Sequence, residues 1–158
     1  MKGVGMTKVL YRAQAHVTGG RNGRGRTSDG QLDLDLRQPK ELGGSGAGAN
    51  PEQLFAIGYA ACFGTTLALV GQRSKLQADD AEIDSSVALI PIDGGRFELG
   101  VELHIALPSV TDEQAIELVD AAHQVCPYSN ATRDNIAVTL VVNGIPVRAP
   151  RAEPTPIE

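Results

Sequence analysis

Residues 50–70 read NPEQLFAIGYAACFGTTLALV, and this stretch decides the fold. Asn50 is a capping residue, Pro51 suits the first helical position, and Glu52 places an acid in the first turn. The unbonded N–H groups and positive dipole end of a helix start favour all three, so a helix begins here. Residues 54–70 carry no charge and place apolar side chains on every face rather than on one stripe, the pattern of a helix buried all round. A membrane span needs about 20 apolar residues. This run is shorter, contains Gly58, Gly64, Thr65 and Thr66, and has only isolated charges at its flanks, so it is expected in the middle of a globular fold.

On the N-terminal side, residues 8–18, KVLYRAQAHVT, alternate apolar and polar with the period of a half-buried strand, which Gly19-Gly20 stops. The polar stretch RNGRGRTSDG closes on the turn pair Asp29-Gly30, and QLDLDL (31–36) then puts Leu32, Leu34 and Leu36 on one face of a second strand, hairpin-paired to the first. ELGGSGAGAN (41–50) is a loop. On the C-terminal side, residues 81–91 and 96–108 make a hairpin around Asp93-Gly94-Gly95, with Val101, Leu103, Ile105 and Leu107 facing inward. Thr111 and Gln114 form a capping box for a second helix with the apolar stripe Ala115, Leu118, Val119 and Ala122. That helix breaks at Cys126-Pro127; a polar turn, YSNATRDN, and a last strand, 136–142, follow.

This order gives an α+β fold of antiparallel hairpins packed on a long buried central helix, as a single domain over residues 1–144. Residues 145–158 hold four prolines in fourteen positions and are expected as a flexible tail. A helix apolar all round needs more cover than five strands supply, which points to a homodimer.

Composition narrows the function. The 158 residues carry a net charge of −5, no Trp and 4% aromatics, which argues against nucleic acid as a ligand. Two cysteines cannot form a disulfide framework, and the opening MKGVGMTKVL has no apolar run of signal-peptide length. The reading is a reduced cytoplasmic protein with neither a membrane nor a nucleic-acid partner.

Cys62 lies on the buried helix and Cys126 at the end of the second helix. Each alone reads as a small buried hydrophobe. The other reading is a reactive thiolate with a second cysteine to resolve it. Desolvation raises a thiol's pKa, so reactivity then needs a nearby cation. Arg21, Arg24 and Arg26 are the candidates, and Glu52 could orient one of them. The metal donors on offer are Cys62, Cys126, His16, His104 and His123. Only His123 and Cys126 have ligand-like spacing, and no three- or four-ligand set assembles. No GxSxG elbow or phosphate loop occurs.

GANPEQLFAIGYAACFGTTL around Cys62 and HQVCPYSNATRDNIAVTLVVNG around Cys126 closely resemble the organic hydroperoxide resistance proteins, the Ohr branch of the Ohr/OsmC family. KVLYRAQAHVTGGR, the SDG turn and IDGGRFELGVELHIALP match as well, so the resemblance covers residues 8–143. It implies an intertwined homodimer acting as a cysteine peroxidase. Cys62 matches the peroxidatic cysteine, Cys126 the resolving cysteine, Arg21 the arginine of the GGR motif and Glu52 the glutamate of NPEQ. Two further arginines after Arg21 and the extended tail depart from the pattern.

The implied cycle needs no bound cofactor. It takes a dithiol reductant as co-substrate, within the family usually a lipoyl group on a carrier protein. The apolar helix, with Leu54, Phe55 and Phe63 near Cys62 in sequence, suits alkyl, aryl or fatty-acid hydroperoxides better than hydrogen peroxide. The same-class alternative is an OsmC-type peroxidase of broader range; the other is a non-catalytic apolar-ligand binder or redox sensor using the same cysteine pair. On one straight helix, Glu52 and Cys62 lie about 15 Å apart at 1.5 Å per residue. Either the helix breaks near Gly58, or Arg21 and Glu52 serve the partner's Cys62; the all-round apolar helix, which already asks for a dimer, favours the second. The small, polar residues around Arg21 offer nothing local to fix its loop.

Overall fold

In the computed structural model, which describes residues 7–148, the chain divides into two compact units, residues 1–51 and 52–158. The first holds a three-stranded antiparallel sheet in the order β1 (Ala15–Thr18), β2 (Arg24–Thr27), β3 (Asp33–Asp35). The expected first strand is therefore only four residues long, and the stretch read as a polar connection supplies the central strand. β3 pairs with β2 and not with β1. Arg24 lies across from Asp35 in the register and places its Nε 2.7 Å from Asp33. That exposed pair lowers the Asp33 carboxyl pKa, chiefly through the hydrogen bond from Arg24. Asp29-Gly30 does turn the chain, with Asp29 Oδ1 accepting from Thr27 Oγ1 and the Gln31 amide.

The second unit runs α1 (Pro51–Arg73), β4 (Glu82–Ile92), β5 (Arg96–Ala106), α2 (Asp112–Val125), α3 (Pro127–Thr132), β6 (Val138–Val142) and β7 (Ile145–Arg148). Its sheet has the order β4-β5-β6-β7. The β4–β5 hairpin pairs Ile83 with Ile105, Ser85 with Leu103 and Val87 with Val101, and the inward alternation read from the sequence holds: Val101, Leu103, Ile105 and Leu107 are all buried. β6 runs parallel to β5, because the chain crosses back through α2 and α3. Parallel pairing requires such a crossover, and the expected set of antiparallel hairpins misses it. The turn expected after Cys126-Pro127 is the six-residue helix α3. Ile145–Arg148, expected as the start of a flexible tail, forms β7 against β6; residues 149–158 lie outside the described residues.

Helix α1 packs Tyr59, Phe63, Leu67 and Val70 into a core shared with β5, β6 and the Ala115, Leu118, Val119, Ala122 stripe of α2. It is not buried all round within the chain: Ile57 is 70% exposed, and Leu54 and Leu69 also face outward. By length and composition α1 is long and apolar enough to cross a membrane, and its buried face belongs to this core. Thr65 and Thr66 sit in the helix by returning their hydroxyls to the carbonyls of Ala61 and Cys62, each at 2.9 Å.

The capping box of α2 forms as read, with Thr111 Oγ1 accepting from the Gln114 amide at 3.2 Å and Gln114 Oε1 from the Thr111 amide at 3.0 Å. Thr111→Ala is expected to lower stability by about 1 kcal/mol in urea unfolding. Leu103→Ala, which empties a fully buried position, is expected to cost about 2–5 kcal/mol in the same assay.

Candidate active site

Two cysteines sixty-four positions apart meet inside the second unit. Cys126 Sγ lies 3.7 Å from Cys62 Sγ, both thiols are free, and Cys126 is completely buried while Cys62 retains partial exposure. Helix α1 carries Cys62. Cys126 is the joint between α2 and α3, with extended backbone of φ −60° and ψ 127° that ends one helix and caps the next. Pro127 then takes the first position of α3, where its missing N–H is not needed.

Burial pushes the Cys62 thiol pKa up, and the second thiol beside it raises it further; the Tyr128 backbone N–H, directed at the sulfur, works in the opposite sense. Within its own unit, therefore, Cys62 is held toward the neutral thiol.

Four of the six aromatic side chains, carried by α1 and α3, form a cluster of their own. The Phe55 ring meets Tyr59 at 6.2 Å and Tyr128 at 5.8 Å, both edge-on, and Tyr59 meets Phe63 at 6.4 Å. Of the residues expected near substrate, Phe55 lines an open groove of about 910 Å³ together with Phe97, Leu99, Pro127, Tyr128 and Ile136. Phe63 is fully buried in the core and Leu54 faces outward.

Helix α1 is continuous through Gly58. The glycine makes room instead: a Cβ would lie 2.7 Å from Tyr128 Oη, so a larger residue would push the Tyr128 ring off the helix. Glu52, in the first turn, and Cys62 thus stay about 15 Å apart along one straight axis. Arg21 occupies the 3₁₀ turn Gly20–Asn22 of the N-terminal unit. The Asn22 amide bonds Gly19 O at 3.0 Å, and a Cβ on Gly23 would stand 1.7 Å from Thr18 O, so the loop closes too tightly for any other residue.

Sequence reasoning missed a buried polar cluster next to the cysteines. Tyr59 Oη lies 2.8 Å from Ser129 Oγ and 3.1 Å from Thr132 Oγ1, and His123 Nδ1 lies 2.9 Å from Ser129 Oγ. Arg133 Nη1 donates to the His123 carbonyl at 2.8 Å, satisfying the end of α2. Desolvation raises the Tyr59 phenol pKa against the pull of its two hydroxyl partners. A tyrosine in an otherwise apolar buried helix was the available signal, since a buried phenol has to find a hydrogen-bond partner. Among the described residues, no three of His, Cys, Asp and Glu gather as a metal group. His104 pairs with Glu102 at the surface, and His16 lies exposed on β1.

The model of the family described as OsmC-like protein matches residues 43–141. The organic hydroperoxide resistance protein of Xanthomonas axonopodis pv. citri is 55% identical over 137 residues, 85% of this chain and 96% of that protein. The organic hydroperoxide resistance protein OhrB of Bacillus subtilis is 44% identical over 133 residues, 84% and 97% of the two chains. The crystal structure of an organic hydroperoxide resistance protein from Legionella pneumophila superposes with a TM-score of 0.82 at 47% identity, covering 85% of this chain and 98% of that one. With its two thiols in contact, its α+β architecture and these relatives, the chain belongs to the OsmC-like family, in its organic hydroperoxide resistance branch.

Proposed function

We propose that this protein is a thiol peroxidase that reduces organic hydroperoxides to alcohols. The observation that carries the reading is the pair of free thiols 3.7 Å apart, one partly exposed and one fully buried. The partly exposed Cys62 meets the peroxide. Its thiolate attacks one oxygen, the O–O bond breaks, and the other oxygen leaves with a proton as alcohol, so Cys62 becomes a sulfenic acid. The Cys126 sulfur then bonds to Cys62, water departs, and a disulfide remains. An external dithiol reduces that disulfide by two exchanges and leaves oxidised; a lipoyl group on a carrier protein is the proposed donor. No bound cofactor or metal enters the cycle.

Because burial holds Cys62 toward the thiol, the first step requires a cation. Arg21 takes that role, its guanidinium favouring the thiolate and holding the peroxide oxygens, with Glu52 fixing the guanidinium plane. The continuous helix supports assigning Arg21 and Glu52 to the Cys62 of a partner subunit, since one straight α1 separates Glu52 from its own Cys62. The outward Leu54, Ile57 and Leu69 support a homodimer, which would cover them. The groove beside Tyr128, mostly apolar but also lined by Arg96 and Glu98, supports an alkyl, aryl or fatty-acid substrate rather than hydrogen peroxide, if the substrate's organic part lies there with its peroxide end toward Cys62. Free cysteines of this kind suit a reducing cytoplasm.

Cumene hydroperoxide at one equivalent is expected to remove both thiols of the reduced protein within seconds, and hydrogen peroxide far more slowly. Survival of both thiols would mean that the cysteines are structural. Consumption that stops at one equivalent with a dithiol supplied would mark a sensor instead. Arg21→Ala leaves the Tyr128 amide alone to oppose burial, so the pH midpoint for iodoacetamide alkylation of Cys62 moves upward, by about one unit or more. Mixed dimers of Cys62→Ser and Arg21→Ala chains recover activity if the site is shared between subunits, and none if each chain serves its own thiol.

A further inference from the structure

Tyr59, Ser129, Thr132 and His123 are all buried, and giving the Thr132 proton to the nearby carbonyl sets one direction for their hydrogen bonds. The Thr132 hydroxyl proton goes to the Tyr128 carbonyl at 2.9 Å. Thr132 Oγ1 therefore has no proton left for Tyr59, and the phenol, 3.1 Å away, donates to it. That uses the only phenolic proton, so Ser129 Oγ, at 2.8 Å, donates to Tyr59 Oη. Ser129 has then spent its own proton and accepts from His123, which carries a proton on Nδ1, 2.9 Å away. The chain runs His123 → Ser129 → Tyr59 → Thr132 → Tyr128 carbonyl.

Its placement relative to the sulfurs is the reason to assign it a role. His123 precedes Cys126 by three residues and Ser129 follows it by three, so the bond between them closes a staple across the α2–α3 joint that carries the thiol. Tyr59 precedes Cys62 by three residues on α1, one helical turn away on neighbouring faces. The bond from Ser129 to Tyr59 therefore ties the carrier of one cysteine to the carrier of the other, and Arg133 reinforces the joint through the His123 carbonyl.

Resting on the peroxidase reading above, we infer that His123, Ser129 and Tyr59 are positioning residues for the second half-reaction. They hold Cys126 where its sulfur needs only a short movement, from 3.7 Å to the roughly 2.05 Å of a disulfide, to expel water from the Cys62 sulfenic acid. All three side chains are buried away from solvent. The competing fate of the sulfenic acid is attack on a second hydroperoxide molecule, which transfers one oxygen to sulfur, gives a sulfinic acid and releases a second alcohol. A loosened joint gives that reaction time to occur, so the chain sets the ratio of disulfide to sulfinic acid.

The test uses full-length Tyr59→Phe and Ser129→Ala, with Ser129→Thr as the conservative replacement that keeps a hydroxyl. Reduced protein is mixed with cumene hydroperoxide, the sulfenic acid is trapped with dimedone at successive times, and intact mass separates disulfide from the product with two added oxygens. Expected for Tyr59→Phe and Ser129→Ala is an unaltered rate of Cys62 oxidation, condensation slowed by roughly tenfold, and a matching gain in sulfinic acid; Ser129→Thr restores the wild-type ratio. Condensation at the wild-type rate in both severed variants overturns the inference while leaving the peroxidase reading intact. A wild-type protein whose thiols survive peroxide overturns both. Nitrogen-15 NMR of the unmutated protein checks the chain independently of any variant's folding: a protonated His123 Nδ1 is expected, and an unprotonated one overturns the hydrogen-bond direction on which the argument stands.

Discussion

Helix α1 buries a face that carries no charge, and the chemistry of the two cysteines is governed by the desolvation that follows. An isolated buried thiol is driven toward its neutral form. Placing a second thiol at 3.7 Å increases that pressure, and the one local influence that opposes it is the Tyr128 amide at the start of α3. The same burial that makes Cys62 a poor anion leaves Cys126 with no exposed surface while Cys62 keeps some. On the proposed peroxidase reading, that difference orders the two sulfurs and a charge from elsewhere supplies the reactivity.

That division of labour accounts for where polar groups appear in the core. Burying a hydroxyl or an imidazole unpaired would cost about 1–3 kcal/mol each. Tyr59, Ser129, Thr132 and His123 avoid that cost by bonding one another, and α3 is the element that makes this possible. It is only six residues long and has little intrinsic stability as a helix. Its hydroxyl bonds to α1 and α2, together with the Tyr128 ring lying against Gly58, hold it in place. The short helix and the cysteine joint before it are a single mechanical unit.

The parts of the fold legible in the sequence were those whose signal is local. The α1 start, the alternation Val101, Leu103, Ile105, Leu107 and the Thr111–Gln114 box are each written within a few residues. β2 was not legible, because Arg24–Thr27 reads as RGRT and becomes a strand only through two neighbours that accept its backbone bonds. The parallel β5–β6 pairing is likewise a matter of topology, and the sixth and seventh strands gain their places from it. In the site, the cysteines stand out in the sequence because each is rare and sits in a long motif. The hydroxyl chain does not, since Tyr59 and Ser129 are seventy positions apart and each has an ordinary local reading.

Gly58 is a residue whose local reading left two outcomes open, a helix break or a continuous helix. Glycine in a helix interior costs about 1 kcal/mol relative to alanine and is commonly taken to mark a kink. Here the helix does not bend; the missing side chain makes room for the Tyr128 ring, whose own backbone amide is directed at Cys62. The loss of helix propensity is therefore spent on bringing α3 close enough for its amide and its hydroxyls to reach α1 together. With the helix straight, its first-turn carboxylate and a sulfur ten residues on stand about 15 Å apart along the axis, which is the helix geometry behind proposing that a second subunit completes the site.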